Sequence, residues 1–186
     1  MSTLKVSTIS PLGTDSTKTI TIGSRSNGDV AAGVFTNFPA AKIDMSANQT
    51  LSNNTWTKMS LDNKVYDTDS AFDTSNYRFT VPTNMAGKYQ FHTQAFMDSG
   101  TTSNLNYTYL AYYINGTRDK NLNHHNFTNS DIRSFSMTCA MQISLSAGDY
   151  VEIYVRANQD SSSPIVYAEE SSGVTSFFEV FRIIGA

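Results

Sequence analysis

Three histidines, one cysteine and a run of aspartates are the side chains of this sequence best suited to chemistry. His124 and His125 are adjacent, so they cannot form the i, i+4 pair that holds a metal on one helix face. They lie in an Asn-rich stretch, residues 121–126, that reads as a solvated loop. Asp62, Asp67, Asp69 and Asp73 are the densest acidic patch, and Asp67-x-Asp69 has the spacing that opens a calcium loop. That loop would need glycine where Ala71 and Phe72 stand and a closing glutamate where Arg78 stands, so a calcium hand is rejected. No Gly-x-Ser-x-Gly elbow, His-Glu-x-x-His pair, Cys-x-x-Cys pair or Gly-x-Gly-x-x-Gly loop occurs. The expectation is a chain with no catalytic residues, no cofactor and no metal.

The elements that carry these residues are strands. Ser, Thr and Asn make up 62 of the 186 residues, while charged residues are only 16%, which suits strands and turns rather than helices laced with Glu/Lys pairs. Residues 135–145 alternate: Phe135, Met137, Cys139, Met141, Ile143 and Leu145 on one face, Ser136, Thr138, Ala140, Gln142 and Ser144 on the other. This predicts a buried, unreactive Cys139. Further strands are predicted at residues 88–97, 105–114, 150–156 and 177–184, punctuated by Asn115-Gly116, Gly148-Asp149 and the serine cluster before Pro164. Short strands at this spacing, with no helical stripe between them, predict an all-β, antiparallel two-sheet sandwich or jelly roll over residues 41–186.

Charge and composition exclude several partners. A net charge of −3 leaves no basic excess to neutralise phosphates, so nucleic acid is not expected as a partner. No apolar run approaches the ~20 residues of a membrane helix, and none follows the N-terminus as a signal-peptide core, so a soluble cytosolic product without membrane insertion is expected. The lone cysteine forms no intrachain disulfide, and the five Asn-x-Thr sequons are the chance product of an Asn/Thr-rich chain.

Residues 1–40 are small, polar and Gly-punctuated, with one alternating stretch at Thr19-Ile20-Thr21-Ile22. Extended, such an arm would reach about 130 Å at ~3.3 Å per residue. Its apolar side chains, Leu4, Val6, Ile9, Ile20 and Ile22, are the candidates for strand addition onto another surface.

In order along the chain, Leu61-x5-Asp67-x4-Phe72-x6-Phe79, then Gly87-x-Tyr89-x-Phe91, resemble the signature of the complement globular-head family, relatives of tumour necrosis factor. Tyr113-Ile114-Asn115-Gly116-Thr117, residues 145–151 (Leu-Ser-Ala-Gly-Asp-Tyr-Val) and Ser176-Phe177-Phe178 are similar to later parts of that pattern, and Thr93 stands where the family carries an aromatic. The resemblance covers residues 40–186 and implies a homotrimer. The wording of residues 49–58, with the short polar leader, resembles versions of the domain on bacteriophage virion proteins, notably of aquatic phages.

In the strand at residues 105–114 both faces turn apolar or aromatic, whereas a surface strand keeps one wet face. A second subunit would cover the outer face, which places Tyr107, Tyr109 and Tyr113, or the alternate face with Tyr112, at a trimer seam. The sequence leaves open which face is core. The resulting expectation is a non-enzymatic phage virion protein: a trimeric capsid decoration or short head-fibre protein, anchored by residues 1–40 to other virion proteins. The alternative is a tail-fibre adhesin whose loops bind a host-surface glycan.

Overall fold

The computed structural model describes residues 38–100, 104–127, 131–169 and 173–185. They form thirteen strands: β1 (Ala40–Asp44), β2 (Gln49–Thr50), β3 (Thr57–Lys58), β4 (Asn63–Asp67), β5 (Phe72–Asp73), β6 (Arg78–Thr80), β7 (Gly87–Asp98), β8 (Leu105–Ile114), β9 (Thr117–Asn126), β10 (Ser134–Leu145), β11 (Tyr150–Gln159), β12 (Ile165–Tyr167) and β13 (Phe177–Gly185). No helix occurs among the described residues. The predicted arm residues Leu4, Val6, Ile9, Ile20 and Ile22 lie outside them.

Every pairing between strands is antiparallel, and there are two sheets. The first runs β2-β12-β7-β13-β1-β4, with β10 on the other flank of β7; the second runs β5-β6-β11-β8-β9, with β3 also on β11. The core lies between them. Tyr89, Phe91 and Phe178 from the first sheet meet Phe72, Phe79 and Tyr112 from the second, with ring centroids 5.6 Å apart for Phe79–Tyr89 and Phe91–Tyr112. Burying each such ring stabilises the fold by about 1.5–3 kcal/mol, and tilted pairs add a fraction more.

The signature residues now have physical roles. Leu61, Phe72, Phe79, Tyr89 and Phe91 are all core. Asp67 is a turn-holder: its Oδ1 accepts from the Ala71 N–H at 2.9 Å and its Oδ2 from the Phe72 N–H at 3.0 Å. Thr93 leaves room for the Tyr112 phenol, and the two hydroxyls share a buried hydrogen bond of 2.6 Å. Asn115 and Gly116, with φ of 51° and 76°, form the two-residue turn between β8 and β9. Positive φ at both positions is what a tight right-twisted hairpin requires.

Three expectations need correction. Tyr112 is fully buried in the core with Thr108 and Leu110, so it is not available to a seam, and Tyr107, Tyr109 and Tyr113 lie on the opposite, outer face. Residues 121–126 are not a loop but part of β9, paired along β8. Their hydrophobic alternation is missing because the strand is polar and its register slips twice, so the ladder rather than burial holds it. Cys139 faces the drier side of β10 yet is only half-buried, because β10 is an edge strand. Partial burial still pushes its thiol above the usual range.

Candidate functional site

Three of the four predicted tyrosines come together on the outer face of the second sheet. The register sets Tyr107 opposite Asn158 and Asn126, Tyr109 opposite Arg156 and His124, and Tyr113 opposite Glu152 and Arg118. Side chains directly opposite on one face are close enough to touch, so β8 becomes the spine of a ribbon of rings. Tyr109 stacks on His124 at 4.1 Å, Tyr113 stacks on Tyr154 at 4.0 Å, and Tyr107 meets Tyr109 edge-on at 5.5 Å.

Trp56, the one tryptophan of the chain, lies across this spine, 5.7 Å from Tyr109 and 6.3 Å from Tyr113. The small Ala111 between those tyrosines leaves room for it and is itself fully buried. The loop that carries Trp56 is pinned on both sides. Asn53 donates from Nδ2 to the Gln159 carbonyl at 2.7 Å and accepts the Gln159 N–H at 2.9 Å, while the Asn54 N–H donates to the Ala157 carbonyl at 2.8 Å. On the far side β3 pairs with β11. Asn54 takes φ of 60°, a left-handed conformation that Asn tolerates, and its Oδ1 accepts from the Tyr107 hydroxyl and from Arg156.

Cations sit on the rings. The Arg118 guanidinium is 5.3 Å from the Trp56 ring, and that of Arg156 is 5.6 Å from Tyr107 and 5.7 Å from Tyr109. Lys58 pairs with the buried Glu152 at 2.6 Å. The second partner that sequence reasoning sought for the outer face of β8 is therefore, in large part, the chain's own Trp56 loop. Trp56, Tyr154, Arg156 and Arg118 were not foreseen there; the only local signal was a lone tryptophan within a polar Asn-Asn-Thr stretch.

The outer face of the first sheet is different. Lys42 and His92 both reach Glu179, at 3.2 Å each, and Lys42 also lies 4.8 Å from the Phe177 ring. The same sheet carries exposed apolar side chains, Tyr66 in register with Lys42, Phe181 two residues beyond Glu179, and Val65 and Ile183, between 41% and 52% exposed, while Phe38, just before β1, lies 5.8 Å from the Arg182 guanidinium. Asp44 sits on this face with Oδ1 buried and unpartnered, and desolvation holds its carboxyl above the usual range, Lys42 opposing and Glu179 adding.

The aspartates of the acidic patch bind the chain itself. Asp62 accepts from the Ser46 N–H and hydroxyl, and Asp69 from the Thr68 hydroxyl. Asp73 accepts from Asn76 Nδ2 and from the Asn76 and Ser75 N–H groups, which holds its carboxyl below the usual range. No group of three or more His, Cys, Asp or Glu side chains converges among the described residues.

Two sheets in this order, closed over one aromatic core, match solved structures along four fifths of the chain. The globular domain of zebrafish complement 1qA superposes with a TM-score of 0.54 at 16% identity, covering 81% of this chain and 100% of that one. Eiger TNF from S. frugiperda gives 0.55 at 14% identity, covering 80% and 94%, and murine APRIL at pH 5.0 gives 0.53 at 13%, covering 79% and 100%. The fold is the C1q/TNF jelly roll. In sequence, the chain is similar to the phage-like element PBSX protein XkdV of Bacillus subtilis (strain 168), 29% identical over 153 residues, or 80% of this chain and 22% of that protein. It is also similar to the uncharacterized protein YqcC of the same strain, 28% identical over 152 residues, or 80% of this chain and 40% of that one. The chain thus spans about a fifth and two fifths of these curated relatives. No family model matches.

Proposed function

We propose that this protein is a phage-associated, non-enzymatic structural protein: a homotrimer that decorates the virion or forms a short fibre on it, with the N-terminal segment, residues 1–40, as the attachment arm. The observation that carries the reading is the match along 80% of the chain to a protein of a phage-like element, on a C1q/TNF jelly-roll fold. The seam is assigned to the outer face of the first sheet. There Phe181, Ile183 and Tyr66 remain exposed with no covering segment among the described residues, whereas Tyr109 and Tyr113 of the second sheet are covered by Trp56. Apolar side chains around a polar centre suit a protein interface, in which buried rings supply affinity and charged pairs fix orientation.

Three copies present three arms, so weak strand-addition contacts through Leu4, Val6, Ile9, Ile20 and Ile22 sum by effective concentration into durable attachment. Light scattering behind size exclusion should return three times the chain mass, and a stable monomer refutes the trimer. Deleting residues 1–37 should leave a trimeric head that no longer co-sediments with particles; unchanged incorporation refutes the arm.

A further inference from the structure

Phe38 stands apart from the other exposed apolar side chains. It precedes β1, and the chain around it is tied to the strands on both sides. Beyond the end of β4, the Thr68 hydroxyl donates to the Phe38 carbonyl at 3.2 Å, the Ala40 N–H donates to Thr68 Oγ1 at 3.0 Å, and the Thr68 N–H donates to the Ala40 carbonyl at 3.0 Å. From β13 the Arg182 N–H donates to the Pro39 carbonyl at 2.9 Å. The Phe38 ring lies 5.8 Å from the Arg182 guanidinium, whose Nη2 donates to the Ala86 carbonyl at 2.6 Å and whose Nη1 reaches Met85 Sδ at 3.4 Å. The result is an aromatic knob, 52% exposed, on a clamped backbone. A ring held in this way has already lost much of its freedom, so a partner that covers it gains apolar burial at little further entropic cost.

The register places the knob at one end of the sandwich. Ala40 pairs with Phe181 and Phe181 with Gln90, near Gly87, where β7 starts opposite Leu145. The turn between Leu145 and Tyr150 lies at the same end, since Tyr150 pairs with Thr80. At the other end Asp98 is opposite Ser134, and Leu105 is opposite Gln159. The 12 residues of β7 run from one end to the other, roughly 36 Å at ~3.3 Å per step. Residues 1–37 join the head at the Phe38 end. Once that segment is bound to a particle, the surface around its root is the part of the head held closest to it, at the high effective concentration of a tethered pair.

We propose that the Phe38 end of the sandwich docks against the virion protein that holds the N-terminal segment, with the Phe38 ring as its anchor, so that the end carrying Asp98 and Gln159 faces outward. This rests on the attachment reading above and not on the trimer, because the knob and its clamp belong to one subunit.

Two measurements on the full-length chain test it. In the first, purified chain is titrated onto particles assembled without it and followed by co-sedimentation. Phe38→Ala should associate about tenfold more weakly, a loss of ~1.4 kcal/mol, with its mass by light scattering unchanged. Ser163→Arg, at an exposed position of the opposite end, should bind as the parent does. In the second, maleimide labels Thr83→Cys and Ser163→Cys chains, free and on the particle, with Cys139 of the parent as background. Thr83 is exposed in the turn before β7, and the particle should slow labelling at Thr83→Cys by about tenfold, as contacts that exclude water do, while Ser163→Cys labels as in the free chain. A Phe38→Ala chain that associates as tightly as the parent overturns the proposal. So does equal labelling at the two positions, or protection of Ser163→Cys alone. A parent chain that does not co-sediment overturns the attachment reading and this inference with it, so the parent alone tells the two failures apart.

Discussion

The two outer faces of this sandwich solve the same problem in different ways. Each presents aromatic side chains on the solvent side of a sheet, but the second sheet covers its spine with a segment of its own chain, and the first sheet leaves Phe181, Ile183, Val65 and Tyr66 bare. The difference comes from the connections. The loop before β3 is stitched to β11 through Asn53 and Asn54, which brings Trp56 over β8. No comparable segment crosses β13 and β1 among the described residues. An aromatic face on one sheet therefore does not by itself announce an interface; what matters is whether the chain returns to cover it.

The largest test of this contrast is to charge each face in turn. Phe181→Asp with Ile183→Asp should convert the proposed trimer to a folded monomer, a threefold drop in mass by light scattering, because a buried charge at an interface centre costs about 2 kcal/mol or more per subunit. Trp56→Asp should leave the mass at three chains. A reversed outcome would exchange the roles assigned to the two faces.

Next in size is the internal cover. Trp56→Ala removes contacts to Tyr109, Tyr113 and Arg118 and should lower unfolding free energy by about 2 kcal/mol in urea titration, given ~0.5–1.5 kcal/mol per aromatic pair. A loss under a few tenths would mean that the loop merely rests on the sheet.

Between the faces, Tyr112→Phe leaves the Thr93 hydroxyl buried without its partner and should cost about 1–2 kcal/mol, with Thr93→Val on the same background recovering part of it. Burial pushes the Tyr112 phenol well above its ordinary range, the Thr93 hydrogen bond opposing. In the unfolded chain that phenol ionises first, so above about pH 10 the native state holds more protons and stability falls as pH rises. Tyr112→Phe should flatten that alkaline slope in pH-dependent denaturation.

The smallest effect concerns Asp44 on the bare face. Its carboxyl is raised by desolvation, so the unfolded carboxyl ionises first and stability declines as pH climbs through the window above the ordinary carboxylate value. Asp44→Asn should raise the melting temperature slightly at neutral pH and remove that decline above the ordinary carboxylate range, a modest effect because the group is only partly desolvated (~0–1 kcal/mol for exposed charges). A lower melting temperature at neutral pH would mean that the charge pairs favourably with Lys42.

Much of the scaffold was legible because alternation and turn chemistry are local. The strand expected at residues 105–114 is β8 (Leu105–Ile114), the alternating run of residues 135–145 lies within β10, and Asn115-Gly116 turns with positive φ at both residues. The polar residues 121–126 look like a loop in sequence because only the pairing of β9 with β8 reveals a strand there. Of the candidate tyrosines, Tyr107, Tyr109 and Tyr113 share one face as their spacing requires, but Tyr112 belongs to the core.

What the sequence determined alone is periodicity: which residues share a face of a strand, where the chain must turn, and that two sheets must close over an aromatic core. The tertiary structure decided which face of β8 points inward, that Asn53 and Asn54 tie the Trp56 loop to β11 more than a hundred positions further along, and that Arg118 and Arg156 meet rings instead of carboxylates. A repeat of two residues is set by backbone geometry within one strand, whereas inside, outside and neighbour are set only when distant strands choose their register.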